Sequence, residues 1–309
     1  MSLDELLEET LIDADATTPD EVAAALGKFY ARALGEIGDQ MDSKALGSEC
    51  SRRICEVADV VIGRIAETLQ GTDFEPEEGL CWIALGGYGR GLLSPGSRVS
   101  LLVLHGESRA DWNEPAYRRI PELVGKSMPG ADVVCASPER VLQRVAEDVM
   151  GASDMLETRC VAGRGALYSQ FTEQFRNGFF VPRWGQLCAD LLEESVSRRD
   201  PHTGSPYCTE LNLKEGAGCL RDIGLMQKLA AFLHEVPDLK HLLKGSEEAS
   251  LGVLDPDAEE FLKEAFDIIL SARNTLHFVA GGESEVLERS LQPQVAQKLG
   301  YGAEDADGQ

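Results

Sequence analysis

Residues 86–97 read GGYGRGLLSPGS, and they lie between two short apolar runs, LCWIAL at 80–85 and VSLLVLH at 99–105. Continuous apolar runs of this length are typical of strands that are buried on both faces. Glycine lets the backbone approach a ligand closely and direct N–H groups toward phosphates. The stretch therefore predicts two buried strands joined by a turn that suits a phosphorylated ligand.

Helical patterns surround these strands. Pro19 and the acids after it open a helical stretch through Ile37, and apolar residues recur at three- and four-residue steps over 44–69. A third strand is predicted at 131–136 (ADVVCA), before a helix that begins near Ser137 and Pro138. The rest of the sequence predicts helices, at roughly 138–149, 151–176, 182–199, 216–235 and 256–280.

The composition limits the classes of function. The chain has 309 residues and a formal net charge of -24, so it can build a full core but is unsuited to nucleic acid, whose binders concentrate Lys and Arg. No apolar run approaches the ~20 residues of a membrane span, and the acidic N-terminus is unlike a signal peptide. The cysteines fit no metal-ligand spacing. We expect a cytoplasmic protein with reduced thiols and with neither nucleic-acid nor membrane partners.

The whole string GGYGRGxLSPGS resembles the glycine loop of the PII-protein uridylyltransferases (GlnD-like family) almost residue for residue. The resemblance implies an α/β fold with a small mixed sheet of the polymerase-beta-like nucleotidyltransferase type, N-terminal helices and a C-terminal helical domain. We expect an N-terminal helical segment at 1–75, the nucleotidyltransferase-like domain at 76–150 and the helical uridylyltransferase-like domain at 151–309.

Four further segments extend the resemblance over residues 80–301. Residues 212–223 (NLKEGAGCLRDI) are similar to the family's NLKEGPGGLRDI, and residues 155–163 (MLETRCVAG) are similar to one of its helices. Residues 273–277 and 291–301 resemble its later helical segments. Members of the family usually continue into a metal-dependent HD phosphohydrolase domain and two ACT domains. This sequence contains no His-Asp dyad, so no uridylyl-removing activity is expected.

The active-site positions depart from the family pattern. Two aspartates separated by one residue project to the same face of a strand, where they can hold Mg²⁺ against a triphosphate. Where the family has GSDIDL, this sequence has GSRVSL, with Arg98 and Ser100 at the two positions. A guanidinium repels Mg²⁺ and a hydroxyl is a weak ligand for it. We therefore predict no metal site and no intact catalytic pair.

Two interpretations of the glycine loop are open. In the first, residues 86–97 keep only the turn and bind nothing. In the second, Arg98 pairs with the phosphates of a nucleotide without metal, aided by Arg90 and by backbone amides. The nucleotide-binding candidates of the second interpretation are Gly86, Gly87, Arg90, Ser97 and Arg98.

A second group of charges, Lys214, Glu215, Arg221 and Asp222, has two interpretations as well. These residues either face the phosphates across a cleft or form an ion-pair network that locks two modules together. His277, on an apolar helix face, is interpreted as a hydrogen-bonded core histidine.

The resemblance and the departures together predict a catalytically inactive nucleotidyltransferase-fold protein with a regulatory role or a role in binding nucleotide or protein. The expected partners are a nucleoside triphosphate and a PII-like signalling protein, and no cofactor is expected although the family uses Mg²⁺. One alternative is a working uridylyltransferase whose Mg²⁺ ligands are other acids, such as Asp132, Glu157, Glu215 or Asp222. Another is an interaction module with an empty cleft.

Overall fold

The computed structural model describes residues 3–41, 47–72, 74, 79–106, 113–146, 149–198, 208–233 and 256–301. The chain forms two compact units. The first unit comprises Met1–Glu36, Arg53–Leu93 and Arg98–Gly185, and the second comprises Ile37–Arg52, Ser94–Ser97 and Gln186–Gln309. The division into segments at 1–75, 76–150 and 151–309 stays a prediction.

A four-stranded mixed sheet organises the first unit. Its strands are β1 (Leu80–Ala84), β2 (Ser100–His105), β3 (Asp132–Ala136) and β4 (Arg159–Gly163), and their order across the sheet is β3-β2-β1-β4. Strand β1 pairs antiparallel with both β2 and β4, whereas β2 and β3 are parallel. The predicted α/β class, with a small mixed sheet of the nucleotidyltransferase type, is confirmed.

The two central strands are the ones that the apolar runs predicted. All five residues of β1 are buried, and so are five of the six residues of β2. A strand with neighbours on both sides and helices over its faces has no solvent-exposed side, so its sequence shows no alternation of polar and apolar residues. Strand β3 also lies where the third run predicted it.

Strand β4 corrects the sequence analysis, which predicted one helix over 151–176. The segment instead contains a helix at Val149–Asp154, the strand β4 and a second helix at Gly165–Gln174. Strand β4 is an edge strand, and its register on β1 shifts between Trp82 and Ile83. Its five residues, RCVAG, are too few to show a β pattern of their own. Pairing with a strand about 80 residues earlier determines its conformation.

Helices account for most of the remaining described chain. Ser137 caps the helix at Pro138–Val145, as predicted, because its hydroxyl accepts a hydrogen bond from the amide of Arg140. A π-helical stretch at Phe175–Phe180 joins the helix at Gly165–Gln174 to the helix at Val181–Arg198. The helices are α1 (Leu3–Asp13), α2 (Pro19–Asp39), α3 (Gly47–Leu69), α4 (Gly86–Gly89), α5 (Asn113–Ser127), α6 (Pro138–Val145), α7 (Val149–Asp154), α8 (Gly165–Gln174), α9 (Val181–Arg198), α10 (Leu220–Leu233), α11 (Pro256–Ala280) and α12 (Gln292–Lys298).

The second unit is helical around a small core. Leu213, Leu276 and Val295 are buried there, and aliphatic side chains from α11, α12 and the segment between them pack against these three. An isolated bridge between Asn212 and Val286 holds the segment before α10 against the segment after α11. The helix predicted at 256–280 is confirmed, and so is the helix at 182–199 up to Arg198. The helix predicted at 216–235 begins only at Leu220, and the one predicted at 138–149 ends at Val145. Residues 199, 234 and 235 of these predictions lie outside the described residues. Within the part of the chain that the structure describes, every helix is too short or too polar to span a lipid bilayer.

Candidate functional site

The glycine turn folds as a single turn of helix, α4, directly after β1. The amide of Leu85 donates to the carbonyl of Ser100 and so ties the start of the turn to β2. The amides of residues 89–92 donate to the carbonyls of residues 85–88, all within the turn. Those four amides are therefore used internally, and only the earlier amides of the turn are left to meet a phosphate group.

Glycine is needed at two positions of the turn, at one because of packing and at the other because of its backbone conformation. A Cβ atom on Gly89 would lie 1.9 Å from the carbonyl oxygen of Glu157, a distance that no real side chain can adopt. Gly86 has a positive φ of 53°, and a Cβ there would lie 3.5 Å from the carboxylate of Asp154. Packing against the segment between α7 and β4 therefore requires glycine at position 89, whereas the positive φ favours glycine at position 86. By contrast, a Cβ on Gly87 would make only ordinary contacts.

Arg90 is held by the same segment. Its Nη1 atom donates to Oε2 of Glu157 at 2.6 Å, and only 9% of the Glu157 side chain is exposed. Glu157 lies in the turn before β4 and not on a helix surface, although the expected ion pair with a neighbouring cation is present. Because a largely buried carboxylate already balances its charge, Arg90 is poorly placed to supply a free cation to a phosphate.

The tyrosine of the turn is anchored by a residue that the sequence analysis missed. Tyr88 is buried, and its hydroxyl donates to Oδ1 of Asp59 on α3 at 2.6 Å. Arg159, the first residue of β4, donates to both oxygens of Asp59 at 2.7 and 3.0 Å, and its guanidinium lies 5.4 Å from the centre of the Tyr88 ring. Burial and the Asp59 carboxylate together raise the pKa of Tyr88 well above its ordinary value. Asp59 therefore connects the glycine turn to β4.

Ser100 is the first residue of β2, and Arg98 lies two residues before the strand begins. Arg98 is exposed and Ser100 is partly buried. Ser100 stands opposite Asp132 in the parallel pairing of β2 with β3, and Asp132 is exposed. The local donor set is thus one guanidinium, one hydroxyl and one carboxylate. This set does not fit Mg²⁺, which needs several oxygen ligands and no neighbouring cation.

The described residues contain no alternative metal site. Among them, no three His, Cys, Asp or Glu side chains are arranged to hold an ion. The alternative ligands differ in their surroundings. Glu157 pairs with Arg90, and Glu215 and Asp222 pair with arginines of the second unit. Asp132 makes none of the described ion pairs, and it alone lies beside Ser100.

The last four residues of the GGYGRGLLSPGS string, Ser94–Ser97, belong to the second unit, where side chains of helix α11 bind them. Ser97 closes a tight turn, because its amide donates to the carbonyl of Ser94 at 2.9 Å and its hydroxyl accepts from the Ser94 amide at 3.2 Å. Arg273 donates to the Ser94 hydroxyl at 2.7 Å. The amide of Gly96 donates to Nδ1 of His277 at 3.0 Å. The structure therefore gives Ser97 a role in turn formation.

His277 is confirmed as a hydrogen-bonded core histidine. Only 1% of the residue is exposed, and Nδ1 accepts the Gly96 hydrogen bond, so the neutral ring carries its proton on Nε2. Burial, followed by the nearby Arg273 charge, lowers the pKa of His277 to about 4. At neutral pH the ring is therefore uncharged.

The charged motif of residues 214–222 forms ion pairs within the second unit. Arg221 contacts Glu215 at 2.9 Å, and Arg198 on α9 contacts Asp222 at 2.8 Å. Lys214 lies 3.6 Å from Glu285. Each of the four motif residues thus has a partner of opposite charge.

Hydrogen bonds to the backbone fix the shape of this segment. The side chain of Asn212 accepts from the amides of Lys214 and Glu215, and Asp222 accepts from the amide of Gly218. Arg198 also donates to the carbonyl of Glu215. The segment is an ordered loop and helix start that is held by its own charges together with Arg198 and Glu285.

Comparison with known proteins identifies the relatives of this chain. Residues 186–309 match the family described as GlnD PII-uridylyltransferase. The chain is 27% identical over 292 residues to a bifunctional uridylyltransferase/uridylyl-removing enzyme of Rhodopseudomonas palustris, covering 93% of this chain and 31% of that protein. It is 31% identical over 276 residues to the enzyme of the same description from Caulobacter vibrioides, covering 85% of this chain and 28% of that protein.

The similarity covers most of this chain, which spans about a third of the length of the curated relatives it matches. The family match at 186–309 covers most of the second unit, and the similarity to the relatives extends over 85–93% of the chain. The resemblance of this chain to the PII-uridylyltransferase (GlnD-like) family is therefore confirmed.

Proposed function

We propose that this chain is a catalytically inactive nucleotidyltransferase-fold protein that acts as a regulatory module by binding a nucleotide or a PII-like protein. The observation that carries the proposal is that Ser100 is the first residue of β2 and that Arg98 lies two residues before it. Nucleotidyl transfer in the fold requires two carboxylates there to gather Mg²⁺. A cation and a hydroxyl cannot do so.

The size of the electrostatic change supports this proposal. A unit positive charge ~4 Å from a divalent ion repels it by about 2 kcal/mol in water and about 8 kcal/mol at an effective dielectric constant near 20. Arg98 is exposed, so the lower part of this range applies. An aspartate at the same position would attract the ion by a similar amount. The net change is therefore about 4 kcal/mol or more, a factor of ~1,000 in affinity.

Of the two candidate arginines, Arg90 and Arg98, Arg98 is the one that is available to bind a nucleotide without metal. Arg90 is paired with Glu157, whereas no described ion pair involves Arg98. A guanidinium can pair with phosphate oxygens in a bidentate manner. In the proposed mode, Arg98 contacts the phosphates and Gly86 and Gly87 leave room for them. The ion pairs of Lys214, Glu215, Arg221 and Asp222 support a structural role for that motif.

Calorimetric titration tests the nucleotide contact. The wild-type protein is titrated with UTP and with ATP, each with and without Mg²⁺, beside Arg98→Ala. We expect binding that does not depend on Mg²⁺ and that weakens about 10-fold or more in Arg98→Ala. Absence of heat with both nucleotides would remove nucleotide binding from the proposal.

Restoring the carboxylates tests the loss of catalysis. The double variant Arg98→Asp with Ser100→Asp is compared with the neutral control Arg98→Asn with Ser100→Asn. We expect Mn²⁺ or Mg²⁺ to bind the double aspartate variant only. Each protein is also incubated with labelled UTP, metal ion and a PII protein. Transfer of label by the wild-type protein would refute the proposed inactivity.

An active uridylyltransferase with relocated metal ligands is the second candidate. The specific observation in its favour is Asp132, an exposed carboxylate that is the register partner of Ser100 on the neighbouring strand. In this case the wild-type protein would transfer label, and Asp132→Asn would abolish the transfer while leaving the melting temperature unchanged.

A further inference from the structure

Two thiols meet across the junction of β1 and β4. The Sγ atoms of Cys81 and Cys160 are 3.8 Å apart, and both cysteines are free. Cys160 is the register partner of Ile83, which lies two residues after Cys81 on β1. The register shift between Trp82 and Ile83 lies between the two cysteine positions. The bulge therefore coincides with the place where the diagonal pair of side chains is in contact.

The two thiols differ in their access to solvent. Cys81 is completely buried, whereas Cys160, on the edge strand, is partly exposed. Burial, followed by the neighbouring Cys160 thiol, raises the pKa of Cys81 well above its ordinary value. An oxidant in solution therefore reaches Cys160 first, and Cys81 lies next to it as a second thiol that solvent cannot reach.

We propose that Cys81 and Cys160 form an oxidation site that closes to a reversible disulfide in the folded protein. The Cys160 thiolate attacks a peroxide oxygen, breaks the O–O bond and becomes a sulfenic acid while hydroxide leaves and takes up a proton. The Cys81 thiol then attacks the Cys160 sulfur and gives its proton to the departing hydroxide, so the S–S bond forms as the S–O bond breaks and a second water is released. Two thiols and one hydrogen peroxide give one disulfide and two waters.

The link would join the strands that carry the glycine turn and its supports. Strand β1 leads directly into α4. Cys160 comes directly after Arg159, which binds Asp59. It also comes shortly after Glu157, which binds Arg90. A covalent bond between β1 and β4 therefore locks this arrangement in place. The inference does not depend on nucleotide binding or on the absence of catalysis.

Peptide mapping tests the site. The full chain is treated with hydrogen peroxide, alkylated and digested with trypsin without reductant. Cleavage after arginine places Cys81 alone in the peptide 65–90 and Cys160 alone in the peptide 160–164. We expect these two peptides to be joined, with a mass about 2 Da below their sum, and a thiol reductant to separate them.

Matched variants identify the partners. Cys135 lies on the opposite edge strand of the same sheet and is also partly exposed, so Cys135→Ser should leave the joined peptide at the wild-type yield. Cys81→Ser should abolish it and allow Cys160 to advance to the sulfinic acid, about 32 Da heavier. The proposal is overturned if wild-type Cys160 over-oxidises without joining Cys81, or if the joined peptide forms only after the protein is unfolded in urea.

Discussion

Replacement of His277 by Asn should flatten the dependence of stability on pH below neutrality. The Asn side chain can place its Oδ1 atom where Nδ1 accepts the Gly96 hydrogen bond, but it cannot take up a proton. In the wild-type protein, protonation of Nδ1 removes that acceptor and buries a charge beside Arg273. Glu285, with its Oε2 4.0 Å from Nε2, is the opposing carboxylate.

The magnitude follows from the two pKa values of the imidazole. The pKa is about 4 in the folded protein and 6.5 in the unfolded chain, so the unfolded state binds more protons throughout the interval between them. The contribution of His277 to stability is therefore complete above pH 6.5 and is lost as the pH falls from 6.5 toward 4. One pH unit below 6.5, the loss is about 1.4 kcal/mol.

Urea unfolding at pH 7.5 and pH 5.5, followed by circular dichroism, measures this loss in both proteins. The lower pH stays above the isoelectric point of about 4.6, which keeps the chain negatively charged and in solution. Carboxylates contribute equally to the two proteins, so the wild-type protein should lose about 1.4 kcal/mol more than His277→Asn. An equal loss in the two proteins would show that His277 is not a buried neutral imidazole.

Three further predictions concern the packing of the motifs. Gly89→Ala should destabilise the first unit by about 3 kcal/mol, because its Cβ would lie 1.9 Å from a carbonyl oxygen. Gly63→Ala is the control: its Cβ meets nothing within 4 Å, so it should stabilise helix α3 by ~0.5 kcal/mol. Urea titration with tryptophan fluorescence measures both changes. Asp59→Asn should cost only ~1 kcal/mol in that titration, because about a third of the Asp59 and Arg159 side chains is exposed. Arg198→Ala should increase hydrogen exchange in helix α10 by about 100-fold, since Asp222 loses its nearest cation. Equal effects of the two glycine substitutions, or wild-type behaviour of either charge variant, would contradict these assignments.

The sequence predicted those strands whose burial is visible in their own residues. Strands β1 and β2 are central, so hydrophobic side chains fill both faces and the apolar runs reveal them. Strand β4 was not predicted, because its five residues, Arg159–Gly163, begin with a charged residue and end with glycine. The charged residue, Arg159, pairs with Asp59 on α3. Its pairing with β1 depends on residues that lie far away in the sequence.

The same distinction applies to the site. The glycine turn and the loss of its carboxylates are local features, and they could be found from the string around residues 86–100. Asp59 carries no local signal, because it is one acid on an amphipathic helix. Its importance arises from Tyr88 and Arg159, which lie 29 and 100 residues away in the sequence. A single sequence gives no means of pairing residues at such separations.

Packing explains how the glycine string can persist without the metal-binding carboxylates. In the first unit, Gly89 leaves room for a carbonyl and Tyr88 is anchored by Asp59; in the second unit, Ser94 and Gly96 are bound by Arg273 and His277. Each of these residues has a contact that the fold needs whether or not a nucleotide binds. Arg98 and Ser100 have no such contact among the described hydrogen bonds of their side chains, so the fold does not restrict them in the same way. A match to the string is therefore evidence for the turn, and only the two positions after it bear on catalysis.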